Sequence, residues 1–284
     1  MQAIEKITPK TVLSKATYQI DIRQRAAMGS MPQENVVKII AEKKLLSRDE
    51  EGFVYRLHIP ERKQSNQEGI RALEYDLSWL QQKLELRTNN QGEVTHIFNL
   101  WEIEDIWRAN RNRFYQKHKR FSAIEDVMEQ TDVLLQNPER FISVFKESEV
   151  GSLLFPPLYE EHTEIGQKTA QHKVFEGFFE TVDLPLLLTT TLKRRKELIA
   201  NNAHLLRKGT LDTDRFDQKR VQKMFRKLAD KITLKVGVDL NYLETYDLDR
   251  YDWIDYAGQL FRVRIKGLFT FEQIARITPL KKEL

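Results

Sequence analysis

LKVGVDLNYLETYDLDRYDWIDYAGQLFRVRI, Leu234 to Ile265, is the stretch whose reading decides the architecture. In its first half Leu234, Val236, Val238, Leu240 and Tyr242 alternate with polar or small residues, and Phe261, Val263 and Ile265 repeat the pattern in its second. A period of two marks strands with one buried face. The segment between them, Asp247 to Asp252, is polar and turn-forming, so the whole reads as an antiparallel hairpin.

The same pattern opens the chain. Tyr18, Ile20 and Ile22 alternate with Gln19, Asp21 and Arg23, and Phe53, Tyr55, Leu57 and Ile59 alternate with Val54, Arg56 and His58. VVKIIAEKKLL, Val36 to Leu46, followed by the turn signal SRDEEG, makes a hairpin with the second of these strands. Ile70, Leu73, Leu77 and Leu80 keep helical spacing. Asn89 to Gly92 then form a tight turn joining the strand of Leu84 and Leu86 to that of Val94.

RANRNRFYQKHKR, Arg108 to Arg120, carries six basic side chains and no acidic one. At about 100° per residue Leu100, Ile103, Trp107, Asn110, Phe114 and Phe121 share a sector of roughly 80°. Most of the basic residues point elsewhere, with Arg111 at the edge of that stripe, so the run is mainly the outer face of an amphipathic helix. Ile124, Val127, Met128, Leu134 and Leu135 continue at helical spacing, and Asn137 followed by Pro138 reads as an N-cap and first turn for a helix burying Phe141, Ile142 and Phe145. The helical block ends near Gly151. The segment from Gly151 to Val174, with Pro156, Pro157 and an acidic cluster, reads as a connection or a functional loop.

Beyond it, KVFEGFFETVDLPLLLTTTLK reads as strands, with Pro185 implying an edge or a break, and ELIANNAHLLRKG, Glu197 to Gly209, fits a helix or a strand and reads as helix on its Arg207, Lys208 and Gly209 end. A further helix carries Val221, Met224, Phe225, Leu228 and Ile232 on one side and Arg220, Lys223, Lys227 and Lys231 on the other. Strands therefore come in hairpin pairs instead of alternating with helices. The fold class is α+β, with antiparallel β-hairpins forming one or two sheets, a central helical block (about 100–148) and a further amphipathic helix (about 213–231). The chain divides into an N-terminal α+β half, 1–150, and a C-terminal α+β half, 151–284, or forms one continuous domain.

Composition narrows the chemistry. The 284 residues, 40% hydrophobic and 31% charged, can bury a sizeable core. With no cysteine there is no disulfide, thiolate metal site or cysteine nucleophile. The 46 basic residues exceed the 42 acidic ones by a small margin, which suits a soluble protein better than a dedicated nucleic-acid binder. The first thirty residues lack a signal-peptide pattern and no run reaches membrane-spanning length, so a cytoplasmic protein without membrane insertion is expected. The eleven glycines include no GxG, which removes the phosphate-cradling loops of Rossmann enzymes, P-loop NTPases and protein kinases, and GxSxG is absent as well.

Three candidate sites remain. Tyr246, Asp249, Tyr251, Asp252 and Trp253 combine aromatic and acidic groups on one turn, as protein contacts do; the blander reading is a polar turn packed beside its own aromatics. Arg113, Lys117 and Arg120, with Lys223 and Lys227, offer a face for an anionic partner, including nucleic acid, or are simply solvated helix faces. His162 and His172, among Glu160, Glu161, Glu164 and Glu176, can supply divalent-metal ligands, though their spacing matches no closed motif. No cofactor is implied. The reading that follows is a non-enzymatic interaction or assembly component whose partner is another protein or itself. The alternatives are a binding module with a sheet-lined cup for a small apolar ligand and a metal-dependent enzyme of unfamiliar type.

Overall fold

The computed structural model describes residues 5–6, 9, 11, 13–29, 31–159, 161–162, 168–194, 203–228 and 236–283. In chain order the elements are β1 (Glu5–Lys6), β2 (Lys15–Met28), β3 (Met31–Arg48), β4 (Phe53–Gln64), α1 (Ile70–Leu77) with a 3-10 turn (Ser78–Gln81), β5 (Lys83–Thr88) and β6 (Val94–Ile97). Four helices follow, α2 (Leu100–His118), α3 (Ile124–Gln136), α4 (Pro138–Glu147) and α5 (Glu149–Leu154). The remainder is β7 (Glu161–His162), β8 (Lys168–Phe179), β9 (Val182–Arg194), β10 (Ala203–Leu211), α6 (Gln218–Leu228), β11 (Val238–Leu248), β12 (Ile254–Ile265) and β13 (Phe269–Glu283).

Eleven strands form one sheet in the order β6-β5-β4-β3-β2-β13-β12-β11-β10-β9-β8, and β1 pairs with β7 in a two-stranded one. The α+β class with antiparallel hairpins is what the alternating patterns predict. Nearly every sheet neighbour is also a sequence neighbour, because antiparallel strands can be joined without a crossover, here by turns or by excursions through α1 and α6. The exception is β2 beside β13. Contacts divide the chain into two units, one of residues 1–5, 21–37 and 161–278, the other of 6–20, 38–160 and 279–284.

In the first unit β11 and β12 pair from Val238↔Ile265 through Tyr242↔Phe261 to Tyr246↔Ala257, the hairpin expected from the opening stretch. Its turn is tied by the Asp249 carboxylate, which accepts from the amides of Tyr251 (2.8 Å) and Trp253 (3.1 Å). One face of these strands carries Leu184, Leu186, Leu188, Tyr242, Phe261, Val263 and Ile265, with Val221 and Phe225 of α6 packed on them. Rings stack closely there, Phe175 on Phe261 at 4.4 Å and Phe178 edge-on to Phe179 at 4.9 Å. Leu228, expected in the apolar stripe of α6, is 56% exposed at the helix end; Ile232 and Leu234 lie outside the described residues.

One expectation is corrected here and another is narrowed. Residues 203–209, the described part of the segment read as helix, belong to strand β10 (Ala203–Leu211), paired in full with β9 and at six positions with β11. Two ladders outweigh the weak helical preference of a short apolar run. Of the two alternatives for Pro185 the edge is excluded, since β9 lies between β8 and β10, and the break is what is found. The β10 ladder ends at Leu211↔Leu186, and the Pro185 carbonyl accepts instead from Asp212 N at 3.0 Å. The missing amide thus falls where no strand partner stands.

In the second unit Phe53, Tyr55, Leu57, Leu84 and Leu86 from the sheet bury against Trp107, Phe141, Phe145 and Leu154 from the helical block, all 2% exposed or less. Asn137 caps α4 as expected, its side chain accepting from Arg140 N at 3.0 Å. The block runs past Gly151: α5 extends to Leu154, and Phe155, Leu158 and Tyr159 are buried. Gly92, at φ 90°, turns the β5–β6 hairpin directly against Tyr159, where a Cβ would approach the ring to 2.6 Å. The segment read as a connection is therefore core up to Tyr159.

Candidate functional site

A row of polar side chains crosses the inner face of the first unit. In register, Thr190 of β9 faces Arg207 of β10, Arg207 faces Glu244 of β11, and Glu244 faces Gln259 of β12. Gln259 Oε1 accepts from Gln273 of β13 at 2.9 Å, and Gln273 Oε1 from Gln24 of β2 at 2.9 Å. At the other end Arg207 donates to Thr190 (3.2 Å) and reaches Gln171 of β8 (3.5 Å). Seven adjacent strands each contribute one residue, because alternate residues of every strand share a face.

Glu244, 1% exposed, is the centre. Its Oε2 accepts from Arg207 (3.1 Å) and Tyr246 (3.3 Å), and its Oε1 from Tyr242 and Gln259. The Tyr242 hydroxyl in turn accepts from Lys173 (2.9 Å) and Gln259 (3.2 Å), which uses its donor and both lone pairs. Burial alone pushes a carboxyl up; here the charges of Lys173 and Arg207 and the Tyr242 hydroxyl outweigh it and hold Glu244 at about 2. Burial, and then the neighbouring Glu244 charge, push the phenols of Tyr242 and Tyr246 well above their ordinary range. A carboxylate held so low is a poor base at neutral pH, and phenols held so high keep their protons. The row is a hydrogen-bonded network that links seven adjacent strands.

The second candidate is the outer face of α2. Leu100, Ile103, Trp107 and Phe114 are its buried stripe, as the spacing predicts. Trp101 and Ile106 lie off that stripe, 64% and 50% exposed, with Phe98 at 41% one turn earlier. The first half of the helix is acidic, with Glu102, Glu104 and Asp105, and the second basic, with Arg108, Arg111, Arg113 and Lys117. Beside it a cleft of about 740 Å³ between α2 and α3 is lined by Arg108, Arg111, Tyr115, Met128, Glu129 and Asp132. Arg111 grips Asp132 by two nitrogens (3.1 and 2.9 Å) and Trp107 Nε1 donates to the same carboxylate at 2.6 Å. Burial would raise Asp132, but these hydrogen bonds keep it below the usual carboxylate range.

The residues expected to form sites fare differently. Tyr246 and Trp253 are 0% and 2% exposed, which corrects the expectation of exposed aromatic anchors at this turn. Tyr246 falls on the inward parity of β11 and spends its hydroxyl on Glu244; Trp253 is drawn in by the Asp249 cap. Tyr251 and Asp252 are half-buried at the turn, and Arg250 lies over the Tyr251 ring at 4.7 Å. Arg113, Lys117 and Arg120 are exposed in the second unit, Lys117 reaching Asp76 at 2.5 Å, whereas Lys223 and Lys227 are exposed on α6 in the first. His172 is half-exposed with Nδ1 3.2 Å from Asp212; the His162 side chain lies outside the described residues. Among the described residues no group of three or more His, Asp or Glu is placed to hold a metal.

Sequence reasoning missed Glu244 and Trp101, and both left a signal. Glu244 shares the parity of Tyr242 and Tyr246, so a charge was due on the buried face of the hairpin. Trp101 falls outside the apolar stripe of its own helix.

No family model matches the chain, and no curated protein does. Among solved structures, one described as "Lipid-protein interactions in lipovitellin" is similar at a TM-score of 0.48 and 8% identity, over 98% of this chain. The chain spans 26% of the length of that structure. A likeness at this level says nothing of function. No helix among the described residues is long and apolar enough to cross a membrane.

Proposed function

We propose that this chain is a non-enzymatic interaction or assembly component that docks a protein partner through the outer face of α2. The observation that carries the reading is Trp101, 64% exposed on a well-packed helix. A large aromatic ring left in water within a charged rim is the pattern of an interface anchor, since Trp contributes most when a partner desolvates it. The ionisable groups of the buried row support the same reading, because their charges are spent on one another.

The test replaces Trp101 with a photo-crosslinking phenylalanine analogue, with the same analogue at Lys223, also exposed, as control. Illumination in nuclease-treated native lysate is expected to give one dominant protein adduct from position 101 and none from 223. The same adducts from both positions, or none from 101, would overturn the proposal.

A further inference from the structure

We infer that the partner is a second copy of this chain, with the two α2 helices packed antiparallel about a two-fold axis at Ala109. The inference rests on the docking reading above and names the partner. The exposed stripe of α2 runs Glu102, Asp105, Ala109, Arg113 and Gln116, at spacings of three and four, and continues to Arg120 beyond the helix. A two-fold axis through Ala109 sets each residue against the one equally far on the other side. Asp105 then meets Arg113 of the second copy, Trp101 meets Lys117, and Glu102 meets Gln116.

Every one of these pairings is favourable. Asp105 with Arg113 is an ion pair, formed twice by symmetry. Trp101 under a lysine ammonium is a cation–π contact, also formed twice. Ala109, the smallest side chain of the stripe, sits where the helices cross and lets them approach. Antiparallel helix dipoles add to the preference. A parallel arrangement would set acid on acid and base on base.

The same pattern disfavours a uniformly acidic partner. The aromatic anchor Trp101 lies at the acidic end of the face, so an acidic segment seated on it would meet Glu102 and Asp105. What complements this face is one that is apolar and acidic at one end and basic at the other, and α2 itself is such a face. Asp105 and Lys117 already touch Arg108 (3.6 Å) and Asp76 (2.5 Å), but each of the two is more than 60% exposed, and pairs of that kind cost little to share. One helix against one helix falls at the low end of interface sizes, so the dimer is expected in the micromolar range.

The absence of cysteine makes the test clean. Ala109→Cys introduces a single thiol on the proposed axis, and mild oxidation is expected to give a disulfide-linked dimer far faster than Lys223→Cys does. Sedimentation equilibrium of the purified chain should show a monomer–dimer equilibrium. Asp105→Arg and Arg113→Asp should each weaken it about tenfold, because the altered pair occurs twice, and the two together should restore it. A chain that stays monomeric, equal oxidation rates at 109 and 223, or a double variant no better than the singles would sink the inference. Circular dichroism confirms that the charge variants fold, and the cysteine test does not depend on them. A monomeric chain that still crosslinks from position 101 to a different protein overturns self-association and leaves the docking reading standing. Loss of the 101 adduct removes both.

Discussion

Two buried charges, one in each unit, are accommodated in opposite ways. Glu244 lies within a ring of donors, two of them cationic, and remains ionised at about 2. Lys43, 4% exposed in the second unit, meets the Leu154 carbonyl at 2.8 Å and the faces of Tyr55 and Phe155 at 4.5 and 4.3 Å, and burial pushes its ammonium down to about 7. Counter-charges aimed through hydrogen bonds hold a buried ion far from its titration point. Where burial outweighs what surrounds the ion, as at Lys43, the group is left poised near neutrality. The first arrangement ties strands together, whereas the second makes the α5 end of the helical block sensitive to pH.

The largest effect that breaks this contrast is Glu244→Leu. It leaves the Arg207 guanidinium buried without its counter-charge and removes the acceptor of two phenols, so a loss of about 3–5 kcal/mol is expected in denaturant unfolding. Glu244→Leu with Arg207→Met should recover most of that loss. A double variant as unstable as the single would show that the pair is not what sets the cost.

Next comes acid. The folded pKa of Glu244 is depressed, so its contribution is fully present above the unfolded value near 4.5 and is lost as pH falls from about 5 towards 2. The loss attributable to this group is on the order of 3 kcal/mol. Hydrogen exchange of the β11 and β12 amides across that range should follow it, and Glu244→Gln should flatten the dependence.

The smallest effect sharpens the other side. Lys43 binds its proton more weakly folded than unfolded, so stability should rise with pH above about 7, by about 2 kcal/mol between pH 7 and 9. Lys43→Met, which fills similar space without a charge, should abolish the rise. If thermal unfolding of that variant keeps the same slope, another group is responsible.

Particular residues show how far the order of amino acids carries such reasoning. The alternation from Val238 to Tyr242 and from Phe261 to Ile265 identified β11 and β12, because one wetted and one buried face demand period two. Asn137 before Pro138 located the start of α4, since capping is settled within a single turn. The stripe of α2 separated its core side from its basic side for the same local reason. Glu197 to Gly209 reads as helix because a short run of mixed character fits either a helix or a strand, and for its described part, 203–209, the two neighbours in the sheet decide between them. Tyr246 and Trp253 looked like anchors because aromatic content by itself does not say which way a ring points.

What local order determined, then, is periodicity: which residues share a face, where helices start, where chains turn, and that a charge, Glu244, stood at a position of buried parity. What required the folded chain is company. Arg207 reaches Glu244 from 37 positions away, and Gln273 meets Gln24 across 249, because β2 lies beside β13. Pairings that distant carry a closure cost that no local pattern records, and they form because the completed sheet buries both partners together. Whether a buried charge is held or nearly neutralised follows from those partners.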